Sequence, residues 1–183
     1  MRYYLRVIIP IFSLCIFTLV GSVFVRLKEK EIISGSKAIV EGTVTGFRTH
    51  WNEYKTFVYT EFDIEVKESL IGAVDSTIKV TVAGGTMDGR LYQVHGIPLL
   101  RTNKRYLLFL TDDKTKAMGY RIFGYAQGLY IIKTREGEDI AYPMADGVLF
   151  LDNNGNKIPG LTPRPLQVLK NRIKQVGAEL GLR

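Results

Sequence analysis

Few side chains in this sequence are placed to do chemistry. His50 and His95 are the only histidines. A metal site would need both, together with carboxylates such as Asp88, and neither shows the ligand spacing of a zinc motif. Asp152, Asn154 and Asn156 mimic the first three ligands of a calcium loop. Lys157, however, stands where such a loop needs glycine, and no glutamate follows at its twelfth position, so Asp152-Asn153-Asn154-Gly155 reads as a turn. Glu61, Asp63 and Glu65 share one strand face. Grouped carboxylates can run acid–base chemistry, but a row of this kind opposite Lys79 also describes a solvated sheet face. Tyr54, Phe57 and Tyr59 either present rings to a base or sugar or pack beneath the C-terminal helix. No nucleophile elbow or phosphate loop occurs, and the spacing of Gly84, Gly85 and Gly89 fits no phosphate cradle. What remains is the glycine-rich connection from Gly84 to Asn103, carrying Met87, Asp88, Arg90, Tyr92 and His95. Those five residues are the candidate binding surface; no catalytic residue, cofactor or metal is expected.

The scaffold for that connection is read from periodicity. Val58, Thr60, Phe62, Ile64 and Val66 alternate with Tyr59, Glu61, Asp63 and Glu65, which buries one face of a strand over Thr56 to Lys67 and wets the other. Ala38 to Phe47 forms the strand before it, with small residues at Ala38, Gly42 and Gly46 that suggest tight curvature or close approach of a second layer. A loop over Ser69 to Asp75 leads to a third strand, Thr77 to Val82. Arg105 to Thr111 is apolar without alternation, as in a strand buried on both faces. After a turn at Lys114 to Gly119, Tyr120 to Tyr125 and Leu129 to Thr134 read as one long strand broken by a bulge at Gln127-Gly128. Glu136 to Asp139 is a charged turn, and Val148 to Leu151 a short strand. Leu27 to Ser36 is a short helical segment ending at Gly35. At the C-terminus, Thr162 as cap and Pro163 at the first position open a helix whose apolar stripe is Leu166, Leu169, Ile173, Val176 and Leu180, with Lys170, Arg172 and Lys174 off it. The fold class is therefore mainly β: a small OB-like β-barrel with an N-terminal apolar helix and a C-terminal amphipathic helix. A β-sandwich is the alternative.

Charge and the N-terminus bound the setting. The net charge of +7 divides as +4 over residues 1–30, +5 over 157–183 and −2 over 31–156, so no basic groove marks the body and nucleic acid is not an expected partner. Arg2 and Arg6 precede an uncharged 19-residue run, Val7 to Val25, long enough as a helix for roughly 28 Å, about a bilayer core. A cleaved signal peptide, with Val20 and Ser22 as the small pair before a cut near Val23, and an uncleaved anchor both fit. A lipoprotein signal does not, because Leu14 before Cys15, the single cysteine, is too large. The expected organisation is 1–25 signal peptide or anchor, 26–37 juxtamembrane segment, 38–160 OB-like β domain and 161–183 C-terminal helix packed on it. The body is expected outside the cytoplasmic membrane, anchored or secreted.

A-I-V-E-G-T-V at 38–44, F-D-I-E-V-K-E-S-L-I-G at 62–72, V-T-V-A-G-G at 80–85, V-H-G-I-P at 94–98, Y-L-L-F-L at 106–110 and G-Y-A-Q-G at 124–128 resemble a group of uncharacterised bacterial exported proteins. That resemblance covers about half the chain and implies export without implying an activity. The order of elements is also similar to netrin-module and metalloproteinase-inhibitor OB domains. Those inhibitors act through an amino-terminal cysteine, and this body has none, so their mechanism does not carry over. The expected function is a non-enzymatic, exported or membrane-anchored module binding a protein or cell-envelope component. A secreted protease inhibitor or protease partner is the alternative, and an enzyme of unknown type the third.

Overall fold

The computed structural model describes residues 21–112 and 119–182. The expected N-terminal apolar helix up to residue 20, Cys15 within it, and all but the end of the turn at 114–119 lie outside these residues. In chain order the elements are β1 (Ser22–Val25), α1 (Glu29–Ser34), β2 (Ala38–Trp51), β3 (Val58–Ile71), β4 (Thr77–Met87), β5 (Arg90–Gln93), β6 (Arg105–Asp112) and β7 (Tyr120–Ile122). A 3₁₀ turn (Tyr125–Gly128) leads into β8 (Leu129–Arg135), β9 (Glu138–Pro143), β10 (Val148–Leu151), β11 (Lys157–Ile158), β12 (Arg164–Pro165) and α2 (Leu166–Glu179).

Five of the strands close a barrel. β2 pairs antiparallel with β3 and with β6, β3 with β4, and β6 with β7, while β7 returns parallel to β4. Numbering these five strands along the chain, the order around the barrel is 1-2-3-5-4, the connection of an OB barrel. The alternation read in β3 holds: Val58, Thr60, Phe62 and Ile64 are buried. Phe62 and Ile64 meet Val40, Val44, Val80, Val82, Tyr106, Leu108 and Leu110 inside the barrel. Three register irregularities bend β2, and a bulged strand twists and curves more than a regular one. At Gly42 a Cβ would fall 2.5 Å from Ile64 and 2.8 Å from the Glu65 carbonyl of the paired strand β3, so this small residue goes with tight curvature and not with a second layer.

A second core lies outside the barrel wall. Ile39, Leu107 and Phe109 point outward from β2 and β6 and are covered by Ile32 and Ile33 of α1 and by Leu166, Leu169, Ile173 and Val176 of α2. That is why β6 reads as a continuous apolar run: both its faces are buried. The helix itself departs from expectation. It begins at Leu166 with Pro165 as N-cap, so Thr162 and Pro163 precede it. Arg164, driven toward extended backbone by the proline after it, pairs with Ala141 of β9 instead. Leu180 falls past the last turn and is 39% exposed. Lys170, expected off the stripe, is buried.

Other boundaries move as well. β3 runs on to Ile71 and β4 to Met87, and the turn expected over Glu136 to Asp139 narrows to Glu136 and Gly137, both at positive φ, with Glu138 opening β9, a strand to which the sequence reading assigns no element. The break between β7 and β8 is a 3₁₀ turn, not a bulge, and both strands pair with β6. That turn has a task. Gln127, 4% exposed, accepts from the Leu27 amide at 2.9 Å and donates to the Val25 carbonyl at 3.2 Å, so its side chain substitutes for a neighbouring strand. Just upstream, Ser22–Val25, the end of the N-terminal apolar run, is not helical: it pairs parallel with Val148–Leu151. The segment between the apolar run and the barrel is thus built into the fold, in a small sheet ordered β1-β10-β11.

Candidate functional site

The connection from Gly84 to Asn103 is not irregular throughout. Met87 faces Arg90 across Asp88 and Gly89, which hold φ of 50° and 72°, the pair of left-handed residues that a two-residue hairpin turn needs. β4 and β5 therefore form a hairpin arm. It leaves the barrel at Gly84-Gly85, where a Cβ on Gly85 would lie 2.1 Å from the Thr60 hydroxyl and 2.9 Å from Thr49. The Thr60 hydroxyl donates to the Gly84 carbonyl at 2.7 Å and sits 3.1 Å from that of Thr49. With φ of 142° at Gly85, only glycine makes this kink without strain.

The kink lays the arm against Trp51 at the end of β2. The indole N–H of Trp51 donates to Asp88 at 3.3 Å, and Tyr92 meets its ring edge-on at 5.1 Å. Four of the five expected site residues thus gather on this arm: Met87 and Arg90 flank the turn, Asp88 and Tyr92 hold it to Trp51. His95 does not join them; it lies beyond β5, exposed. Trp51, which sequence reasoning passed over, is the anchor, and the Asp-Gly dipeptide at 88–89 was the signal for the hairpin.

Beside the base of the arm lies a cleft. Among the described residues, β4 meets β7 at one pair only, Val80 with Tyr120. Above that pair the strands part around a cleft of about 520 Å³, lined by Val82 and Ala83 of β4, Arg121 and Ile122 of β7, Val94 and Ile97 of the following loop, and a rim of aromatics. Phe57 is 38% and Tyr125 53% exposed. Asn52 positions Phe57 by accepting from the Thr56 and Phe57 amides, and Tyr125 is stacked on Phe24 of β1 at 5.7 Å. The expectation that Tyr54, Phe57 and Tyr59 pack beneath the C-terminal helix is therefore corrected: Phe57 and Tyr59 pack on each other at 5.1 Å at the cleft, and Tyr54 is 79% exposed. Helix α2 covers a different face of the barrel, because the outward apolar residues of β2 and β6 lie there.

The acidic groups are arranged for structure. Glu61 accepts from Lys79 at 2.6 Å and lies 3.4 Å from Arg48, and the Lys79 hydrogen bond holds its carboxyl below the usual range, whereas a general acid needs the opposite shift. A larger cluster joins α2 to the barrel. Glu41, fully buried, accepts from Lys170 and, at 2.6 Å, from Arg105, with Lys67 at 3.2 Å. Lys170 and Lys174 also reach Glu68 at 2.7 Å, and Arg105 reaches Asp139 at 2.8 Å. Burial pushes the Glu41 carboxyl up, but the hydrogen bonds from Lys170, Arg105 and Lys67 pull it down by more, leaving it below its ordinary value. Burial likewise works against the Lys170 ammonium, and Glu41 and Glu68 outweigh it, raising its pKa. Glu41, Glu68, Asp139, Arg105 and Lys170 are all shifted toward their charged forms, the reverse of a group poised to exchange protons near neutrality.

Metal ligation fares no better: among the described residues, no three of His, Cys, Asp and Glu lie close enough to hold an ion. Asp152 accepts from the amides of Asn154 and Asn156 and from the Asn156 side chain, a side-chain-closed turn. No family model, curated protein or solved structure matches this chain.

Proposed function

We propose that this protein is an exported or membrane-anchored OB-like module that binds a partner polypeptide of the cell envelope in the cleft between β4 and β7, with no catalysis of its own. The observation that carries this reading is the seam itself, pinned at Val80–Tyr120 and opening into about 520 Å³ beneath exposed Phe57 and Tyr125. Exposed aromatics around a recess are the usual anchors of protein contacts, and an extended segment laid along a parted strand pair is a recurring mode of peptide capture. The hairpin arm, docked on Trp51, touches the site only at its base, through Ala83 and Val94. Export is supported by Arg2 and Arg6 followed by the uncharged run from Val7. Among the described residues no helix is long and apolar enough to cross a membrane.

The test is site-specific photocrosslinking in intact cells. A benzoylphenylalanine replacing Tyr125 or Phe57 in the full chain should capture a discrete partner protein, and one replacing Val168, exposed on α2, should not. The same products from all three positions, or from none, would remove the cleft as the binding site. Inhibition of a metalloprotease by the purified chain would favour the protease-inhibitor alternative instead.

A further inference from the structure

A second cavity, of about 560 Å³, lies between α1, α2, the outer face of β8 and the strap from Ile158 to Arg164. Its walls are aliphatic, with Leu27 and Ile32 on one side, Leu169 and Ile173 on another, and Ile158 and Leu161 on the strap. The volume is within the ~300–1,000 Å³ usual for small-molecule sites. Two interior polar groups are present. Gln127 already uses both ends of its amide on Leu27 and Val25, so the Tyr130 hydroxyl is left; burial raises its pKa, against the pull of Arg164 and Arg26, and it stays a donor. A peptide threaded here would bury amides without partners. A hydrocarbon chain asks for none.

The rim is cationic. Arg26, Lys28 and Arg164 line it together with Glu29 and Asp152. Both acids already have partners: Glu29 pairs with Arg172 at 2.7 Å and, on the rim itself, with Arg164 at 3.7 Å, and Asp152 closes its own turn. Arg26 donates to the Pro159 carbonyl at 3.0 Å, and the Lys28 backbone amide donates to the Glu31 carboxylate at 2.7 Å, but among the described residues neither the Arg26 guanidinium nor the Lys28 ammonium is paired with a carboxylate. From this complementarity we infer that the cavity is a binding site for a long-chain fatty acid, its carboxylate at Arg26 and Lys28 and its chain between the two helices and the strap. The site is separate from the β4–β7 cleft and does not depend on it.

The inference is tested with the full chain in phosphatidylcholine nanodiscs and a palmitic acid probe carrying a mid-chain diazirine, its crosslinks mapped by mass spectrometry. Crosslinks are expected on peptides containing Ile32, Ile158 or Leu161. Unlabelled palmitate should compete at least tenfold better than hexadecylamine. The double variant Arg26→Glu/Lys28→Glu should lose at least tenfold in labelling, and Lys104→Glu, exposed elsewhere, should lose nothing. Leu161→Trp, which fills the cavity from the half-buried strap, should block labelling with the carboxylate rim intact, and serves if the charge reversals disturb folding. Labelling only outside the cavity, equal competition by the amine, full labelling of Leu161→Trp, or displacement by an apolar peptide in place of palmitate would each overturn it.

Discussion

Glu41 stands near the start of β2 with no exposed surface, surrounded by Lys170, Arg105 and Lys67. Removing its charge leaves the buried Lys170 ammonium with Glu68 alone. Glu41→Gln is therefore expected to cost about 3 kcal/mol, the low end for breaking a buried pair, or roughly 6–12 °C of melting temperature in a domain of this size. Replacing both Glu41 and Lys170 by leucine should recover most of that loss, and a single variant that melts like the parent would show that the cluster contributes nothing. The pH profile follows from the signs. Carboxyl pKa values lowered on folding, as at Glu41, Glu61, Glu68 and Asp139, add stability above pH 4.5 that is lost as pH falls through their folded values. The raised Lys170 adds stability below pH 10.5 that is lost as pH rises through its folded value. Thermal melts should accordingly be flat between those limits as far as these groups decide, and Glu41→Gln should flatten the acid limb. Lys170 lies four residues after Leu166 and three before Ile173, so helical spacing did place it on the buried face. Its lysine identity hid that, because a lysine is buried only when paired and the pairing residues are more than 100 positions away in sequence.

At the scale of elements, two segments invite direct tests. Ile173 of α2 is 1% exposed within the outer core. Ile173→Asp puts an unpaired carboxylate there and should lower stability by about 3 kcal/mol or more, seen as a drop of several degrees or more in melting temperature. A variant that melts like the parent and loses only liposome binding would make α2 a membrane element. The hairpin arm depends on Gly85. Gly85→Ala forces a Cβ into Thr60 at φ of 142° and should cost about 1–3 kcal/mol. Trp51, the only tryptophan, should report it through a red-shifted emission as Tyr92 and Asp88 leave the indole; unchanged emission and melting would mean that the arm is not docked.

For the molecule as a whole, the basic side chains of α2 are paired with acids of the body. Lys170 and Lys174 pair with Glu68 and Arg172 pairs with Glu29, so the lysines and arginine on helix α2 form no free basic stripe among the described residues. Residues 21–183 should bind DNA or RNA no better than a neutral control, with affinity nearly independent of salt; a steep salt slope would contradict this. The fragment must begin at residue 21. One starting at residue 31 discards β1, its ladder with β10 and the Gln127 bonds, and should melt lower than residues 21–183, although both should give a far-ultraviolet circular dichroism spectrum dominated by β structure.

Periodicity in the sequence determined the mainly β class, the barrel strands β2, β3, β4 and β6, and the C-terminal helix stripe, because those elements bury an apolar face and their residue pattern must repeat with the backbone. Distribution of charge along the chain led to the expectation of no nucleic-acid groove, which the salt dependence of binding tests. Tertiary structure alone decided what depends on contacts between distant residues. β9 carries only weak alternation and is a strand because β8 pairs with it. Gln127 is indistinguishable in sequence from a surface glutamine until Val25 and Leu27 arrive beside it. The ends of β3 and β4, the pairing of Ser22–Val25 with Val148–Leu151, and the parting of β4 from β7 are set by which strand lies alongside. Local propensity does not encode that choice; it is made when two cores close on either side of one wall.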